Sequence, residues 1–393
     1  MNKIKNKLLV VLFLVALLPV LLIGGYALYA SMDSLRASSI AIHKSRVTLI
    51  TERIENYLNV VSSDLFYLRD SNALHLYFSV LKSNNSHSER LLLTNLRSSL
   101  SKFSEQKEIY QQVRFIDRKG TEVVRIDRDN GKSKNISDTN LQDKSSSEYF
   151  KQTINRNNNI LYISAIDLNR ENGKIEEALR PVIHFASPVY DKQETLQGII
   201  VLNVMLDKVF GFIQEQETEG EQLTFTDPEG YYYYHTDTRK RWGSQKDLAT
   251  NINLFSDYPN LKEPLAVTEQ LATLELDEDI MTYQSVILNG GRINLGNLIS
   301  IAPEAVVYKP VRNFISVFLG VALLTLLLSF FLALFLSSLI SKPLMQLTER
   351  IEQLSAGDIE TPIRMTSNDE IGKLAHAVEL LRKSLKILMK RAS

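Results

Sequence analysis

The sequence predicts an α+β protein with two transmembrane helices, a large region of helices and strands between them, and a coiled-coil tail. Three observations support this architecture: two long apolar runs without charge, a turn-and-strand pattern that occurs twice, and heptad spacing near the end of the chain. A length of 393 residues is sufficient for two or three domains.

The composition excludes several classes of protein. The chain is 44% hydrophobic and 23% charged with a formal net charge of zero, which argues against nucleic-acid binding and against dominant disorder. It contains no cysteine, which excludes disulfide scaffolds, thiolate metal sites and cysteine nucleophiles and suits an oxidising compartment. The six histidines are too widely spaced for a zinc-binding helix motif, so no metal site is predicted.

Two uncharged apolar runs have the length of membrane spans. Residues 8–30 form a run of 23 residues and residues 313–341 a run of 29. A helix rises about 1.5 Å per residue, so roughly 20 residues cross the hydrocarbon core. A cleaved signal peptide is the alternative for the first run and a buried core helix for the second. We predict transmembrane helices at 8–30 and 313–340.

The flanking charges predict the orientation. Lys3, Lys5 and Lys7 precede the first span and Asp33 follows it. Short basic flanks stay in the cytoplasm. Residues 1–7 are therefore expected in the cytoplasm, 31–312 outside it and the tail inside, as in a multi-pass protein of the bacterial inner membrane.

The first part of the outer region is predicted to be one long helix over residues 34–70. Apolar residues recur there at mostly three- and four-residue steps, without Pro or Gly. Such a helix can continue directly from the first membrane span as a stiff spine.

An internal repeat follows, with an offset of 110 residues. Phe115, Asp117 and Gly120 match Phe225, Asp227 and Gly230. An Asp that bonds its own backbone opens each turn, and Gly closes it where a positive φ is needed.

A second strand pair follows each copy of the repeat. The turn of the first pair is predicted at Asp191, and that of the second at Asn289-Gly290-Gly291. We therefore predict two tandem α+β modules, a distal one at 80–206 and a proximal one at 215–308.

The tail carries two heptad blocks. Leu344 to Leu354 and Ile371 to Leu388 show alternating steps of three and four residues. Two such short helices cannot bury their seams alone, which predicts a homodimeric, parallel four-helix bundle. A membrane-bound amphipathic helix is the alternative.

The tail resembles a HAMP domain over about residues 338–390. The matching segments are Ser341-Lys342-Pro343-Leu344, Ser355-Ala356-Gly357-Asp358 and Asp369-Glu370-Ile371-Gly372. The resemblance implies that Pro343 begins the first helix of a relay at 341–390 and that the Asp-Glu pair begins the second. It also implies that Pro343, Gly357, Glu370 and Gly372 serve signal relay.

The outer region resembles a double Cache sensor domain (tandem PAS-like, or PDC) over about residues 40–308. Such domains occur on sensor histidine kinases, diguanylate cyclases and chemoreceptors. The segments that carry the resemblance are Val124–Ile126, Leu141–Lys144, Glu148–Phe150, Tyr162–Asn169, Pro181–Val189 and Gly198–Asn203.

The resemblance implies a ligand cleft over the sheet of the distal module. Arg and Lys there could hold a carboxylate, and Tyr could stack on or hydrogen-bond a small ligand. The candidate ligand-binding residues are Arg125, Lys144, Tyr149, Tyr162, Ser164, Asp167, Asn169, His184 and Asn203. The alternative for Tyr149, Tyr162 and Asn203 is that they only complete the core. The run Tyr231–Tyr234 is expected to be a half-buried aromatic strand.

The candidate site departs from amino-acid-binding relatives. These resemble Arg-x-Trp-Tyr at the helix and carry an Asp at the end of the fifth strand, whereas this chain has Ser147-Glu148-Tyr149-Phe150 and Asn203. An amino-acid sensor is therefore not predicted.

No catalytic motif is present in the sequence. There is no P-loop, G-x-S-x-G, H-E-x-x-H or nucleotide-binding glycine box, and His376 lacks the neighbours of a phospho-acceptor histidine. No enzyme activity, cofactor or metal is predicted. The chain ends shortly after the last heptad residue, and we expect no output domain within it.

The sequence therefore predicts a membrane receptor that senses a small molecule or a periplasmic protein and signals through a HAMP dimer to a separate cytoplasmic output protein, which would be a kinase, a cyclase or a chemotaxis component. One alternative is the input half of a longer histidine kinase or diguanylate cyclase. Another is a membrane-anchored binding protein without signalling.

Overall fold

A computed structural model gives the architecture, and it describes residues 3–81, 85–129, 131–156, 160–171, 173–262, 265, 271–276, 278–363 and 369–392. The chain divides into two compact units. One comprises Ser38–Val307, and the other comprises Met1–Ala37 together with Tyr308–Ser393.

A long helix opens the chain, as predicted. Helix α1 covers Lys3–Arg69 and includes Pro19. Within Ser38–Val307 one face of α1 is buried, from Val47 to Leu68, with exposed fractions of at most 1%. Two further helices follow, α2 at Asn72–Leu81 and α3 at Ser86–Gln106. Helix α3 begins where Asn85 accepts hydrogen bonds from two backbone amides, since Asn is a preferred N-cap residue.

The first sheet is antiparallel in all its described pairs. Its strands are β1 (Tyr110–Asp117), β2 (Glu122–Asp129), β3 (Lys132–Asn135), β4 (Tyr162–Ile163), β5 (Asp167–Leu168), β8 (Pro181–Tyr190) and β9 (Leu196–Met205). The order is β3-β2-β1-β9-β8-β4, and β5 also pairs with β8. A small hairpin of β6 (Arg170–Glu171) and β7 (Lys174–Ile175) lies between β5 and β8, and helix α4 (Glu148–Ile154) precedes β4.

The second sheet repeats the plan with fewer strands. Helix α5 (Asp207–Gln214) connects to β10 (Gln222–Thr226), β11 (Tyr232–Tyr234), helix α6 (Leu254–Asp257), β12 (Ala272–Glu275), β13 (Asp279–Leu288) and β14 (Ile293–Pro303). The order is β11-β10-β14-β13-β12, with antiparallel pairing throughout these strands. The two sheets lie within the ranges predicted for the distal and proximal modules.

The repeated Asp-Gly turn has the same geometry in both sheets. The Asp117 carboxylate accepts hydrogen bonds from the amides of Lys119 and Thr121, at 2.8 and 2.9 Å. The Asp227 carboxylate accepts one from the amide of Tyr231 at 2.7 Å. The closing glycines have φ angles of +95° and +90°, which is a left-handed region that favours glycine.

The second hairpin of each sheet contains a glycine in close contact with a neighbouring strand. A Cβ atom on Gly198 would lie 2.1 Å from the carbonyl oxygen of Ile116, and one on Gly296 would lie 1.8 Å from that of Thr226. These glycines have φ angles of +155° and +138°. The two modules therefore share a second feature that sequence comparison alone did not reveal.

Both sheets pack one face on α1. Alternate residues of β1, such as Val113 and Phe115, join α1, β9 and β10 in one buried apolar cluster. Successive strand residues point to opposite sides, so the opposite face of the first sheet carries the polar Gln112 and Arg114. It also carries a small buried apolar cluster of Ile116, Phe150, Ala186, Ile199 and Val201. The opposite face of the second sheet is filled by a separate apolar cluster around Tyr232, Met281 and Ile299.

Helix α7 (Glu304–Val307) ends the unit Ser38–Val307, and helix α8 (Lys309–Ser355), which belongs to the other unit, follows it in the chain. By length and composition, α1 and α8 are the two helices that could cross a membrane among the described residues. Pro343 lies inside α8. The expectation that Pro343 begins a helix is therefore wrong, because the helix runs without interruption from the apolar segment into the tail.

The tail forms two helices joined by a packed connector. Gly357 follows the end of α8 with a φ of +101°, and helix α9 covers Glu370–Ala392, so Glu370 begins a helix as expected. The Asp369 carboxylate accepts a hydrogen bond from the amide of Gly372 at 3.0 Å and caps α9. Ile363 is 7% exposed and packs with Leu347 and Ala375. Residues 364–368 of the predicted HAMP range lie outside the described residues.

Candidate ligand-binding site

A cleft of about 1390 Å³ lies over the face of the first sheet that is turned away from α1. One wall is the sheet with α4 and the segment from Tyr162 to Arg170. Segments of the second module, including Asp227–Glu229 and Ser244–Asp247, line the other side. The cleft is therefore enclosed by both modules.

Seven of the nine candidate residues line this cleft: Lys144, Tyr149, Tyr162, Ser164, Asp167, Asn169 and His184. They come from the loop after β3, from α4, from the β4–β5 segment and from β8. Arg125 and Asn203 are not in the lining.

Arg125 is occupied by an ion-pair network on the same sheet face. Its guanidinium donates two hydrogen bonds of 2.7 Å to Asp127 and bonds of 3.1 and 2.8 Å to Glu171. The Arg125 guanidinium and two amide side chains hold the pKa of Glu171 at about 2, although burial acts in the opposite direction. The interpretation of Arg125 as a ligand contact is replaced by a structural role, since four of its five N–H donors bond Asp127 and Glu171 and it does not line the cleft.

Asn203 is fully buried in the sheet. Its carbonyl oxygen accepts a hydrogen bond of 2.6 Å from Arg114, and its amide donates one of 3.1 Å to Gln112. Asn203 thus fits the alternative in which it completes the core. Through its hydrogen bond it also positions the Arg114 guanidinium.

Arg114 is the lining residue that sequence reasoning missed. Its side chain is 2% exposed, and it donates hydrogen bonds to the Tyr149 hydroxyl at 2.9 Å and to Glu122 at 3.4 Å. The Arg114 Nε atom is buried without a partner among the described residues. A signal was present in the sequence: Gln112 and Arg114 alternate with Val113 and Phe115, which marks a polar face on β1.

An aromatic pair stands next to Arg114. The ring of Tyr149 stacks on His184 with centroids 4.8 Å apart, and the Arg114 guanidinium lies 5.1 Å from the centre of the Tyr149 ring. Burial, followed by the charges of Arg114 and Lys144, lowers the pKa of His184 to about 3. The imidazole is therefore neutral and offers a polar, uncharged surface.

Lys144 contributes a second positive charge at this end of the cleft. Its ammonium donates one hydrogen bond, of 2.7 Å, to the side-chain carbonyl of Gln142. Burial lowers the pKa of Lys144, and the charge of Arg114 acts in the same direction. An anionic group in the cleft would relieve both effects, because it would pair with the charged form.

Two other lining residues organise the backbone. The Ser164 hydroxyl accepts a hydrogen bond from the amide of His184 at 2.9 Å and donates one to the carbonyl of Ala165. The Asn169 amide donates to Glu176 at 3.0 Å. Ser164 thus holds the segment after β4 on β8, and Asn169 holds the segment after β7.

Asp167 lies at the other end of the β4–β5 segment. Its Oδ2 atom is 3.7 Å from Arg170, whereas its Oδ1 atom is buried and accepts no hydrogen bond within the described residues. Burial and the nearby Asp247 carboxylate raise the pKa of Asp167 to about 7. Arg170 is thus a cation near Asp167, and at 3.7 Å it does not compensate for burial of the carboxylate charge.

The tyrosine run is more buried than expected. Tyr232, Tyr233 and Tyr234 form β11 with exposed fractions of 1 to 4%, so the expectation of half-burial was too weak. Tyr231, Tyr232 and Tyr233 also line the cleft. Among the described residues, no group of three or more His, Asp or Glu side chains is arranged to hold a metal ion.

The central part of the chain matches a known family of sensor domains. Residues 52–294 match the family model of the bacterial histidine kinase sensor domain. The chain belongs to this family. The match covers the first sheet, the second sheet up to the start of β14, and the end of α1 from residue 52.

The sensor domain is followed by a second matching family. Residues 335–386 match the HAMP domain. The predicted combination of a double Cache sensor with a HAMP domain is therefore confirmed. A sensor domain followed by HAMP makes the chain a membrane sensor that relays signals, with its sensor outside the cell.

Solved structures share the sensor fold. A domain of a sensory box/GGDEF family protein from Vibrio parahaemolyticus is 21% identical with a TM-score of 0.58, covering 70% of this chain and 99% of that one. The extracellular domain of the histidine kinase vpHK1S-Z8 is 21% identical with a TM-score of 0.58, covering 71% and 96%.

The ligand-binding domain of the Campylobacter jejuni chemoreceptor Tlp3, in complex with 4-methylisoleucine, also has this fold. It is 11% identical with a TM-score of 0.50, and the alignment covers 70% of this chain and 95% of that one. No curated protein sequence matches the chain significantly.

Proposed function

We propose that this sensor is a two-span receptor whose residues 31–312 lie outside the cytoplasm and bind a small anionic ligand in the cleft of the distal module. The ligand-binding residues are Lys144, Tyr149, Tyr162, His184 and Asp167 from the candidate set, together with Arg114. The related Tlp3 domain binds an amino-acid ligand, which supports a small-molecule ligand here.

One observation carries the proposal: Arg114 and Lys144 both line a large cleft with hydrogen-bonding capacity left over. Among the described residues the Arg114 Nε atom has no partner, and the Lys144 ammonium donates one hydrogen bond. The Glu122 carboxylate is 3.4 Å from Arg114, and the charges of Glu122 and Glu171 both act on Lys144. The amide of Gln142 also donates to Glu122 at 3.0 Å. A ligand carboxylate would accept charge-assisted hydrogen bonds from the remaining N–H groups.

Helix α1 connects the distal module to the rest of the sensor domain, so ligand binding there can affect the second sheet. The Asp64 carboxylate on α1 accepts hydrogen bonds from Tyr110 at 2.6 Å and from Lys107 at 3.0 Å. Further along α1, the Glu55 carboxylate accepts a bond of 2.8 Å from the amide of Ile287 on β13. A change in the distal sheet is thus mechanically connected to α1 and to the second sheet.

A buried glutamate joins α1 to the last strand of the sensor domain. The Glu221 side chain is 1% exposed and pairs with Arg46. It accepts hydrogen bonds from Ser300 on β14 at 2.5 Å, and it lies 3.0 Å from His43 on α1. Strand β14 directly precedes α7 and α8 in the chain, so movement of α1 against β14 is the input to the relay.

The relay itself is a HAMP dimer that repacks between two states. The seam residues Leu374, Leu381 and Leu388 are 49 to 61% exposed in the single chain, as expected of positions that face a second copy. A coupling free energy of about 1–3 kcal/mol would change the output several-fold to a hundredfold. Nearly complete switching would require about 5.5 kcal/mol of differential binding.

Ligand binding is tested on the full chain in detergent by a thermal-shift screen of small carboxylates and other anionic metabolites. We expect at least one compound to raise the Tm of the wild-type protein. Lys144→Met should weaken that compound's binding at least tenfold, because one charge-assisted hydrogen bond is lost. The matched control Lys132→Met, on exposed strand β3, should bind like the wild type. Equal binding by Lys144→Met would contradict the proposed site.

Signal relay is tested by disulfide cross-linking, since the chain has no cysteine. Leu381→Cys, on the seam of α9, should cross-link two copies in membranes, and a compound from the screen should change the rate. Lys383→Cys, off the seam, should cross-link poorly. An unchanged rate at Leu381→Cys with bound compound would favour a membrane-anchored binding protein that does not signal.

A second candidate is the input half of a histidine kinase or diguanylate cyclase. The family match to a histidine kinase sensor domain and the likeness to a sensory box/GGDEF protein favour it. A denaturing immunoblot of the producing cells, with an antibody against the sensor domain, distinguishes the two candidates. A band near 44.7 kDa supports a receptor that signals to a separate protein, and a much larger band supports the input half of an enzyme.

A further inference from the structure

The cleft has two ends of opposite charge. Arg114 and Lys144 form the positive end beside the stacked Tyr149 and His184. Asp167 marks the negative end, and its Oδ1 atom is buried without a hydrogen-bond partner among the described residues. The carboxylates of Asp247 and Glu148 reinforce that end, while Arg170 and Lys246 partly offset them.

Strand register gives the separation of the two ends. Arg114 pairs with Val201, which pairs with Ala186, the partner of Tyr162. Asp167 instead pairs with Val182, four residues from Ala186 on β8. The offset is about 13 Å along the strands and about 14 Å across them. The Cα atoms of Arg114 and Asp167 are thus roughly 20 Å apart.

This separation excludes a single α-amino acid as a ligand for both ends. The amino nitrogen and carboxyl carbon of an amino acid are about 2.5 Å apart across one Cα atom. The volume of about 1390 Å³ also exceeds the range of about 300–1,000 Å³ that is usual for small-molecule pockets. A dicarboxylate would leave Asp167 facing a like charge.

We infer that the ligand is an extended zwitterion, a short peptide with free ends, whose C-terminal carboxylate binds Lys144 and Arg114 and whose N-terminal ammonium binds Asp167. This inference rests on the proposed function of the cleft. An extended chain spans at most about 3.3–3.6 Å per residue, so four residues cover about 14 Å. The side chains of Arg114, Lys144 and Asp167 extend into the cleft and close the remaining distance.

The chemistry of both ends suits such a peptide. Lys144 donates one hydrogen bond, to Gln142, and its ammonium has further N–H groups for a carboxylate. Asp167 has a pKa raised to about 7, and an ammonium beside it would favour the ionised form. Peptide binding should therefore be tighter at pH 8 than at pH 6.

The test uses the full chain in detergent and the fluorescence of Trp242, the single tryptophan, which lines the cleft. The probes are a library of tetrapeptides with randomised side chains and free ends, the same library N-acetylated, and the same library C-amidated. We expect the free-ended library to change the fluorescence and to bind at least tenfold more tightly than either blocked library.

Two variants assign the ends. Lys144→Met should lose the preference for a free carboxylate and keep the preference for a free amine, whereas Asp167→Asn should do the reverse. Lys132→Met and Glu177→Gln, both on exposed positions outside the cleft, are the controls. No binding of the free-ended library, or equal binding of a blocked one, overturns the inference.

The result also separates this inference from the proposed function. If a small anion binds in a Lys144-dependent manner while tetrapeptides do not, the cleft is a ligand site and the peptide assignment is wrong. If neither binds in a Lys144-dependent manner, both proposals fail.

Discussion

At the scale of single residues, the family resemblance selected seven positions that line the cleft and two, Arg125 and Asn203, that do not. Lys144, Tyr149, Tyr162 and His184 line the cleft as expected from the family resemblance. Arg125 does not, because Asp127 and Glu171 already occupy its guanidinium. The choice between two arginines on adjacent strands depends on which carboxylates fold next to each, and that information is not local in sequence.

Arg114 lines the cleft but was not selected from the sequence, for the same reason. Its bond to Asn203 joins residues 89 positions apart, through the pairing of β1 with β9. Alternation of polar and apolar residues in β1 predicts a polar face, but it does not show that this face borders a cavity. Only the assembled sheet shows that Arg114 lines the cleft.

Asp167 leads to a prediction on pH. Its pKa is raised to about 7, so the folded protein holds this proton more tightly than the unfolded chain does. The resulting stabilisation is present at pH 4 and is lost as the pH rises to about 7. Asp167→Asn keeps a neutral side chain at every pH, so its Tm relative to the wild type should be clearly higher at pH 8 than at pH 5.

The measurement is the Tm of ligand-free protein at both values, with Glu177→Gln as the control for loss of an exposed carboxylate. A Tm difference between Asp167→Asn and the wild type that is the same at pH 5 and pH 8 would show that burial and Asp247 do not perturb Asp167.

At the scale of elements, local turn chemistry made the hairpins predictable. The Asp-x-x-Gly pattern gives the same backbone bonds at Asp117 and at Asp227, and Asp191 accepts bonds from two amides in its own turn at 2.9 Å. The short strands β4 and β5 were not predicted as separate elements. They have two residues each and depend on pairing with β8, which lies further along the chain.

The two close-contact glycines give a matched pair of predictions. Gly198→Ala and Gly296→Ala should each reduce the free energy of unfolding by about 3 kcal/mol or more, because a Cβ atom would overlap a backbone oxygen of the adjacent strand. Urea denaturation followed by Trp242 fluorescence measures the effect. Gly290→Ala, where a Cβ atom meets no neighbour within 4 Å, should cost only about 1 kcal/mol.

Similar losses at Gly198, Gly296 and Gly290 would mean that the cost comes from backbone conformation alone. The contact between adjacent strands would then not explain why these positions are glycine.

At the scale of the whole molecule, the order of parts followed from hydrophobic and heptad patterns. The long helix, the two sheets and the two tail helices occur in the predicted sequence of elements. The enclosure of the cleft by both modules could not be predicted in this way. It depends on contacts such as the Asp247 carboxylate accepting the amide of Leu168 at 3.1 Å, which joins loops 79 residues apart.

The proposed membrane topology predicts a labelling pattern. Lys192→Cys, in the exposed turn between β8 and β9, should react with a membrane-impermeant maleimide on intact cells, and Lys383→Cys on α9 should react only after permeabilisation. The wild-type chain has no cysteine and provides the blank. Labelling of both positions in intact cells, or of neither, would contradict placement of 31–312 outside the cytoplasm.

The position of Pro343 inside α8 has a mechanical consequence. Proline has no amide hydrogen, so the carbonyl of Leu339 lacks its helical partner, and the ring crowds that carbonyl. The helix therefore flexes at this point at lower cost than elsewhere along its length. Bending at Pro343 takes up a tilt of the apolar segment. Sliding of the helix along its axis and rotation about that axis still pass to the residues that follow.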